Sequence, residues 1–321
     1  INTRRPVFLW GPPGIGKSDI VKQIGADFGR EVIDVRLALW EPTDIKGIPY
    51  FNTDSKTMVW APLAELPTNA DSSAIIFLDE LNSAPPAVQA AAYQLILNRR
   101  VGTYQLPAGV DIVAAGNREG DRGVTYRMPA PLANRFVHLE AKVDFDDWQD
   151  WATLNKIHPE VVGYVGFAKQ DLYDFDPKSP SKAFATPRSW SFVSELLNDD
   201  DTDIETLTTL ISGAIGDGLA VKFMAHRKIA SKLPKAEDIL DGKVKDLQIK
   251  EVSAMYTLTT SLCYELKDRA AKKSKDWDEM ADRFFRYMMD NFSTEIVVMG
   301  AKTALTNFDL PLDATKMKSF D

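Results

Sequence analysis

Cysteine, histidine and long apolar runs are all scarce in this sequence of 321 residues. Cys263 is the only cysteine, which excludes a disulfide within the chain and agrees with a reducing, cytoplasmic location. Three histidines leave few ligands for a metal site built from cysteine and histidine. The apolar runs are all too short to cross a bilayer, so we expect no membrane span.

Excess positive charge is lacking as well, because the formal net charge is −8. Proteins that bind nucleic acid in general carry an excess of Lys and Arg, which neutralise phosphates. The acidic balance therefore weighs against a general nucleic-acid binder, although it leaves room for a local basic strip. The length is enough for two domains of ordinary size.

Short apolar runs alternate with helical stretches up to about residue 142. The pattern predicts strands over 7–10, 31–35, 74–78, 111–115 and 136–139, and helices over 18–28 and 87–98. Strands that alternate with helices predict a doubly wound parallel sheet, hence an α/β fold. Beyond it the pattern predicts helices near 159–172, 186–198, 203–230, 251–271, 277–291 and 293–307. We therefore predict an α/β domain over 1–142 and a mainly helical region over 143–321.

A glycine-rich loop joins the first predicted strand to the first predicted helix. Its sequence is Gly11-Pro12-Pro13-Gly14-Ile15-Gly16-Lys17-Ser18, with Asp19 next. In the strand–loop–helix context this spacing predicts a P-loop that binds ATP phosphates, and these nine residues are the candidate ligands. Backbone N–H groups would surround the phosphates, Lys17 would reach the β- and γ-phosphates, and Ser18 would bind Mg²⁺. The alternative is a tight glycine turn without a ligand.

Two further strand ends carry polar residues that suit hydrolysis. The apolar strand 74–78 runs into Asp79-Glu80, where Asp79 would hold Mg²⁺ and Glu80 would polarise the attacking water. Asn117 follows strand 111–115, which we expect beside the Asp79 strand, and its amide could bind the γ-phosphate or that water. The alternatives are an ordinary loop start at Asp79-Glu80 and a turn-capping role for Asn117.

Two arginines are candidates for contact with the transferring phosphoryl group. Arg135 lies in the segment Pro131–Phe136, where it is either an arginine finger or an ordinary Arg at a helix end. Arg188 lies at the predicted start of a helix, where the helix dipole disfavours a cation, so an anion nearby would explain it. The residues alone leave both alternatives open.

These motifs resemble, in this order, Walker A, Walker B, sensor-1, arginine finger and sensor-2 of AAA+ ATPases. The closer resemblance is to the MoxR-like branch, within the group related to dynein and magnesium chelatase, and it covers about residues 6–198. Segments 44–63 and 98–109 look like the two hairpins that this branch inserts. The resemblance implies an AAA+ core over 1–142 and a helical lid with further helices over 143–321.

The resemblance also implies an assembly and partners. It implies a homo-oligomeric ring, usually a hexamer, in which Arg135 acts in trans on a neighbour and Arg188 contacts nucleotide from the lid. Arg122 and Arg127 lie in the same connecting segment and are alternative fingers. A partner protein with a von Willebrand A domain is implied as well.

Three hypotheses about function follow. The leading one is a chaperone-like ATPase that remodels a protein client or assists cofactor insertion. The alternative is a motor or loader acting on nucleic acid, for which Lys46, Arg99 and Arg100 could form a basic lining. In the third, nucleotide is only a structural ligand. Candidates for contact with a substrate or neighbour are the hairpin residues Tyr50, Phe51, Arg99, Arg100 and Tyr104.

Overall fold

The computed structural model describes residues 4–61, 65–121, 123, 125–199, 201–272, 276–313, 317 and 319. The chain divides into two compact units, one up to Lys142 and one from Val143. The first contains strands and helices, whereas the described residues of the second contain helices but no strands. No helix in the described part of the chain is long and apolar enough to cross a membrane.

The first unit has strands β1 (Val7–Trp10), β2 (Val32–Arg36), β3 (Ile48–Asn52), β4 (Thr57–Ala61), β5 (Ile75–Asp79), β6 (Arg100–Val101), β7 (Tyr104–Gln105), β8 (Asp111–Gly116) and β9 (Val137–Glu140). Its helices are α1 (Lys17–Asp27), α2 (Pro42–Lys46), α3 (Pro86–Asn98) and α4 (Ala130–Ala133). The five predicted strands and two predicted helices are all present, with ends within one residue of those predicted.

The central sheet has the strand order β2-β5-β8-β1-β9, and every pairing in it is parallel. Both faces are covered, because Ile75 and Phe77 of β5 pack with Val21 of α1, whereas Ile76 and Leu78 pack in the cluster that includes α3. This is the predicted doubly wound α/β sheet. β8 lies directly between β5 and β1, so the carboxyl ends of these three strands meet at one edge.

Two small antiparallel hairpins, β3–β4 and β6–β7, leave the sheet. They occupy the two segments where the resemblance implied insertions, although residues 62 and 63, at the end of the first, lie outside the described part. The hairpins contact each other, since Thr103 Oγ1 donates a hydrogen bond to the Trp60 carbonyl at 2.9 Å.

The second unit consists of α5 (Phe145–Leu154), α6 (Pro159–Phe167), α7 (Pro187–Leu197), α8 (Ile204–Ile215), α9 (Asp217–Ala230), α10 (Ala236–Leu240), α11 (Val252–Ala271), α12 (Trp277–Asn291) and α13 (Thr294–Lys302). The single helix predicted over 203–230 is wrong. Gly216 separates α8 from α9 with a φ of 88°, which glycine adopts easily and other residues do not. Trp190, Tyr164 and Phe223 pack against one another in tilted and edge-to-face contacts within one core cluster of this unit.

Candidate active site

The glycine-rich loop turns between the end of β1 and the start of α1. Gly16 is the N-cap residue of α1 and has a φ of 88°, a conformation that costs little only for glycine. The helix therefore begins at Lys17 with its N–H groups directed at the loop, as anion binding requires. Gly11 and Pro12 are buried, the stretch from Pro13 to Ser18 is half-buried, and Asp19 is exposed in the first turn.

Lys17 joins the loop to the end of β8. Its ammonium donates hydrogen bonds to the carbonyls of Gly11 at 2.7 Å and Pro12 at 2.9 Å, and to Asn117 Oδ1 at 3.1 Å. β8 pairs with β5, as expected for the strand that precedes Asn117. The sheet order thus brings together two residues that lie far apart in sequence.

Ser18 and Asp79 form the second contact across this edge of the sheet. Ser18 Oγ donates to Asp79 Oδ2 at 2.9 Å, and the Glu80 N–H donates to Asp79 Oδ1 at 3.0 Å. A hydroxyl and a carboxylate are hard oxygen donors, which Mg²⁺ accepts while it keeps several waters. The described residues contain no cluster of three or more His, Cys, Asp or Glu side chains suited to a metal. This pair therefore fits an Mg²⁺ that is otherwise bound by water and phosphate.

Glu80 follows β5 directly and is exposed to solvent. Its φ of 54° places it in the left-handed region, which for a residue other than glycine costs about 1 kcal/mol or more. Strain of this kind is common at sites where a side chain must take a particular direction. An exposed carboxylate directly after Asp79 in the chain is chemically able to orient a water molecule.

Asn82 is a site residue that sequence reasoning missed. Its side chain is 2 % exposed, and Nδ2 donates to the main-chain carbonyl of Asn117 at 2.7 Å. The main-chain carbonyl of Asn82 accepts from the Tyr126 N–H at 2.6 Å. Asn82 therefore ties the turn that carries Glu80 to the strand end that carries Asn117. The signal available in the sequence was an amide two residues after Glu80, in the turn Leu81-Asn82-Ser83.

The arginines occupy different places. Arg135 is exposed between α4 and β9, and Arg127 is exposed in the segment before α4. Arg122 lies outside the described residues. Arg188 is exposed in the first turn of α7, in the second unit. Their roles toward nucleotide stay predictions.

Two of the predicted hairpin contact residues face the protein instead. Tyr104 is 8 % exposed, its hydroxyl donates to the Pro67 carbonyl at 2.7 Å, and burial raises its pKa to about 12. Arg99 Nη2 donates to the carbonyls of Pro107 at 2.8 Å and Val110 at 2.7 Å. These contacts favour a structural role for both residues over contact with a substrate or neighbour, whereas Tyr50, Phe51 and Arg100 are exposed as such contact requires.

Comparisons with known proteins agree with this geometry. Residues 6–136 match the model of the AAA domain, dynein-related subfamily. Midasin of Giardia intestinalis is 26% identical over 169 residues, which are 50% of this chain and 3% of Midasin. The chain thus spans only a small part of the length of that relative.

Solved structures show weaker likeness. The RuvB Holliday junction branch migration motor of Thermotoga maritima has 16% identity and a TM-score of 0.41, over 89% of this chain and 80% of its own. NtrX from Brucella abortus has 14% identity and a TM-score of 0.41, over 94% and 64%. TM-scores this low carry no argument about function. The family match covers the segment that holds the loop, Asp79-Glu80 and Asn117, so residues 6–136 are similar to the AAA domain of the dynein-related subfamily.

Proposed function

We propose that this chain hydrolyses ATP with Mg²⁺ and uses the reaction to remodel a protein client, as a subunit of a MoxR-like homo-oligomeric ring. The observation that carries the proposal is the convergence of Lys17, Ser18, Asp79 and Asn117 at one edge of the sheet. These are the groups that phosphoryl transfer needs: a cation, an oxygen site for Mg²⁺ and a polar amide.

Each residue has a distinct task in this proposal. The Lys17 ammonium binds phosphate oxygens, while the N–H groups of the loop and of the α1 N-terminus surround the phosphate chain. Ser18 and Asp79 hold Mg²⁺, which when bound neutralises phosphate charge. Asn117 Oδ1 accepts from Lys17, which leaves its Nδ2 free to donate to the γ-phosphate or to the attacking water.

Glu80 distinguishes hydrolysis from a purely structural use of nucleotide. A site that only binds ATP needs no carboxylate beside the γ-phosphate, because a second negative charge there weakens binding. Glu80 directly follows Asp79 in a strained backbone conformation, and its N–H donates to Asp79 Oδ1. The arrangement suits a group that orients water for in-line attack.

A protein client agrees better with the hairpins than nucleic acid does. The β3–β4 hairpin exposes large apolar side chains, with Ile48 72%, Phe51 59% and Met58 60% exposed. Arg99, one of three cations expected in a basic lining, binds main-chain carbonyls instead. If nucleic acid were the substrate, DNA would stimulate the ATPase and salt would suppress that stimulation steeply.

The two hairpins are linked to the site through the chain itself. Thr103 holds one hairpin to the other, and Arg99 holds β6–β7 to the 107–110 segment, which leads into β8 and Asn117. A change in phosphate state at Asn117 would therefore move the hairpins as a pair. A ring, usually hexameric, and a partner with a von Willebrand A domain complete the proposal by resemblance to MoxR-like ATPases.

The test is complementation between two inactive variants, Glu80→Gln and Arg135→Ala. In a ring with a trans finger, the intact Glu80 of one subunit is served by the intact Arg135 of its neighbour. An equal mixture should then recover ATPase activity, at about a quarter of the wild-type rate if subunits assort at random.

Subunit exchange must be shown in the same mixture, by fluorescence transfer between labelled subunits. If subunits exchange and the mixture stays inactive, Arg135 is not a trans finger. Arg127→Ala and Arg122→Ala, mixed with Glu80→Gln in the same way, then decide between the alternative fingers.

A further inference from the structure

A single imidazole joins the phosphate loop to the segment that carries Arg135. His138 lies in β9, beside the end of β1. Its Nδ1 accepts a hydrogen bond from Trp10 Nε1–H at 2.8 Å, and its Nε2 lies 2.8 Å from the Ala133 carbonyl at the end of α4. Because Nδ1 must accept from an indole that can only donate, the ring proton is on Nε2 and is donated to Ala133.

Aromatic packing holds the ring in this position. Trp10 and His138 lie nearly parallel, with 22° between their planes and 5.9 Å between centroids. Phe8 stacks on Trp10 at 4.2 Å, and Phe136 packs edge-on against Phe8 at 5.4 Å. The side chain is exposed at the sheet edge. The two directed hydrogen bonds are what histidine adds.

The two ends of this connection have different functions in the proposed mechanism. Trp10 immediately precedes Gly11, whose carbonyl binds the Lys17 ammonium. Ala133 lies two residues before Arg135, and its carbonyl also accepts from the Phe136 N–H at 3.2 Å. Trp10, His138 and the Ala133 carbonyl thus form a chain of direct contacts from the phosphate loop to the backbone beside Arg135.

We propose that His138 is a positioning residue that couples the phosphate loop of one subunit to the Arg135 which that subunit presents to its neighbour. The inference rests on the proposed function, because it requires a trans finger at Arg135. It adds a route by which the nucleotide bound in one subunit sets the hydrolysis rate in the next. His138 itself contacts no nucleotide in this scheme.

The variants His138→Leu and Trp10→Phe test the connection. His138→Leu removes both hydrogen bonds, and Trp10→Phe removes the indole donor while it keeps an aromatic ring. Each should lower kcat on the order of tenfold, since a small displacement of a catalytic group costs that much or more. Nucleotide affinity should stay within about twofold, because Lys17 and Ser18 are intact.

Two controls separate positioning from folding. His138→Gln keeps an acceptor for Trp10 and a donor for Ala133, so it should retain a rate within about threefold of the wild type. Leu139→Thr alters the next residue of the same strand, which is half-exposed, and should leave kcat unchanged. Equal melting temperatures for all four variants show that the fold is intact.

The decisive experiment mixes His138→Leu with Glu80→Gln. If His138 acts through Arg135, the site with the intact Glu80 of the His138→Leu subunit is completed by the correctly positioned Arg135 of its Glu80→Gln neighbour. The mixture then recovers activity as the Arg135→Ala mixture does, and Trp10→Phe behaves in the same way. If His138 serves only its own phosphate loop, mixing gives no recovery.

The outcomes distinguish the two proposals. No recovery with either Arg135→Ala or His138→Leu overturns the trans finger and, with it, the coupling. Recovery with Arg135→Ala but not with His138→Leu leaves the finger standing and overturns the coupling. A wild-type kcat for His138→Leu alone also overturns the coupling, whatever the mixtures show.

Discussion

At the residue scale, nucleotide binding depends most on Lys17, because its ammonium lies among the carbonyls of Gly11 and Pro12 and the amide of Asn117. Lys17→Ala should weaken ATP binding by about 3 kcal/mol, roughly a hundredfold in Kd, since charge-assisted hydrogen bonds to phosphate are lost. Titration of a fluorescent ATP analogue measures this. Lys22→Ala is the matched control, because it removes another lysine from the same helix. Lys22 is exposed, and its ammonium lies 3.9 Å from Asp34 Oδ2. Unchanged affinity in Lys17→Ala would remove Lys17 from the site.

Asn82 should affect hydrolysis rather than binding. Asn82→Ala leaves the carbonyl of the half-buried Asn117 without its donor, which should cost about 1 kcal/mol of stability. It should also lower kcat severalfold while the Kd for ATP stays constant, because Asn117 and Glu80 lose their shared support. Gln89→Ala is the control. It removes an equally buried amide that donates to Ala84 at 3.0 Å, so stability should fall while kcat holds. Equal kcat losses in both variants would show that Asn82 has only a structural role.

The sequence predicted which residues would meet, but not which way several side chains would turn. Lys17, Ser18, Asp79 and Asn117 converge because they follow parallel strands, whose order restricts where their ends lie. Tyr104 is different, since its burial depends on a hydrogen bond to Pro67. A strand of two residues has no periodicity from which a buried face could be inferred. The same applies to Arg99, whose direction is set by carbonyls of the next loop.

At the element scale, close packing at the end of β8 makes a sharp prediction. A Cβ on Gly116 would lie 2.1 Å from Asn82 Oδ1 and 2.8 Å from Phe8 Cζ. Gly116→Ala should therefore destabilise the protein by about 1–3 kcal/mol, because two buried side chains must move. Gly213→Ala, in α8, is the opposite case. Its Cβ would meet nothing within 4 Å, so it should stabilise by about 0.5–1 kcal/mol. Urea unfolding compares the two, and equal effects would contradict the packing argument.

Gly216 shows where periodicity fails at this scale. Apolar residues recur at helical spacing on both sides of it, so the pattern alone predicts one helix over 203–230. The break depends on one backbone angle, and a glycine inside a helical pattern is also compatible with a continuous helix. Strand and helix types in the first unit were predicted correctly because short continuous apolar runs bounded by polar residues, together with the loop motif, leave fewer alternatives.

At the scale of the whole molecule, stability should depend on pH through two histidines of the second unit. Burial lowers the pKa of His226 from 6.5 to about 4. Burial and the nearby charge of Arg227 lower the pKa of His158 to about 4 as well. His158 Nδ1 accepts from the Glu160 N–H at 3.2 Å as the N-cap of α6, and His226 Nε2 contacts Thr257 Oγ1 at 2.9 Å. Protonation of His158 would thus remove the N-cap hydrogen bond of α6. Protonation of His226 would place a positive charge on a buried ring.

The direction in which stability changes with pH follows from proton binding in the folded and unfolded states. Below pH 6.5 the unfolded chain binds more protons at these positions than the folded one, so stability is complete above pH 6.5 and falls as the pH approaches 4. Glu160, whose pKa burial raises from 4.5, acts in the opposite sense at lower pH, so the clearest window is pH 7 to 5.5. The loss there should be about 2 kcal/mol for the two histidines together, measured by urea unfolding. His226→Gln, which can still reach Thr257, should remove about half of that loss. An identical loss in the variant would exclude His226 as a source, and no loss in the wild type would contradict both assignments.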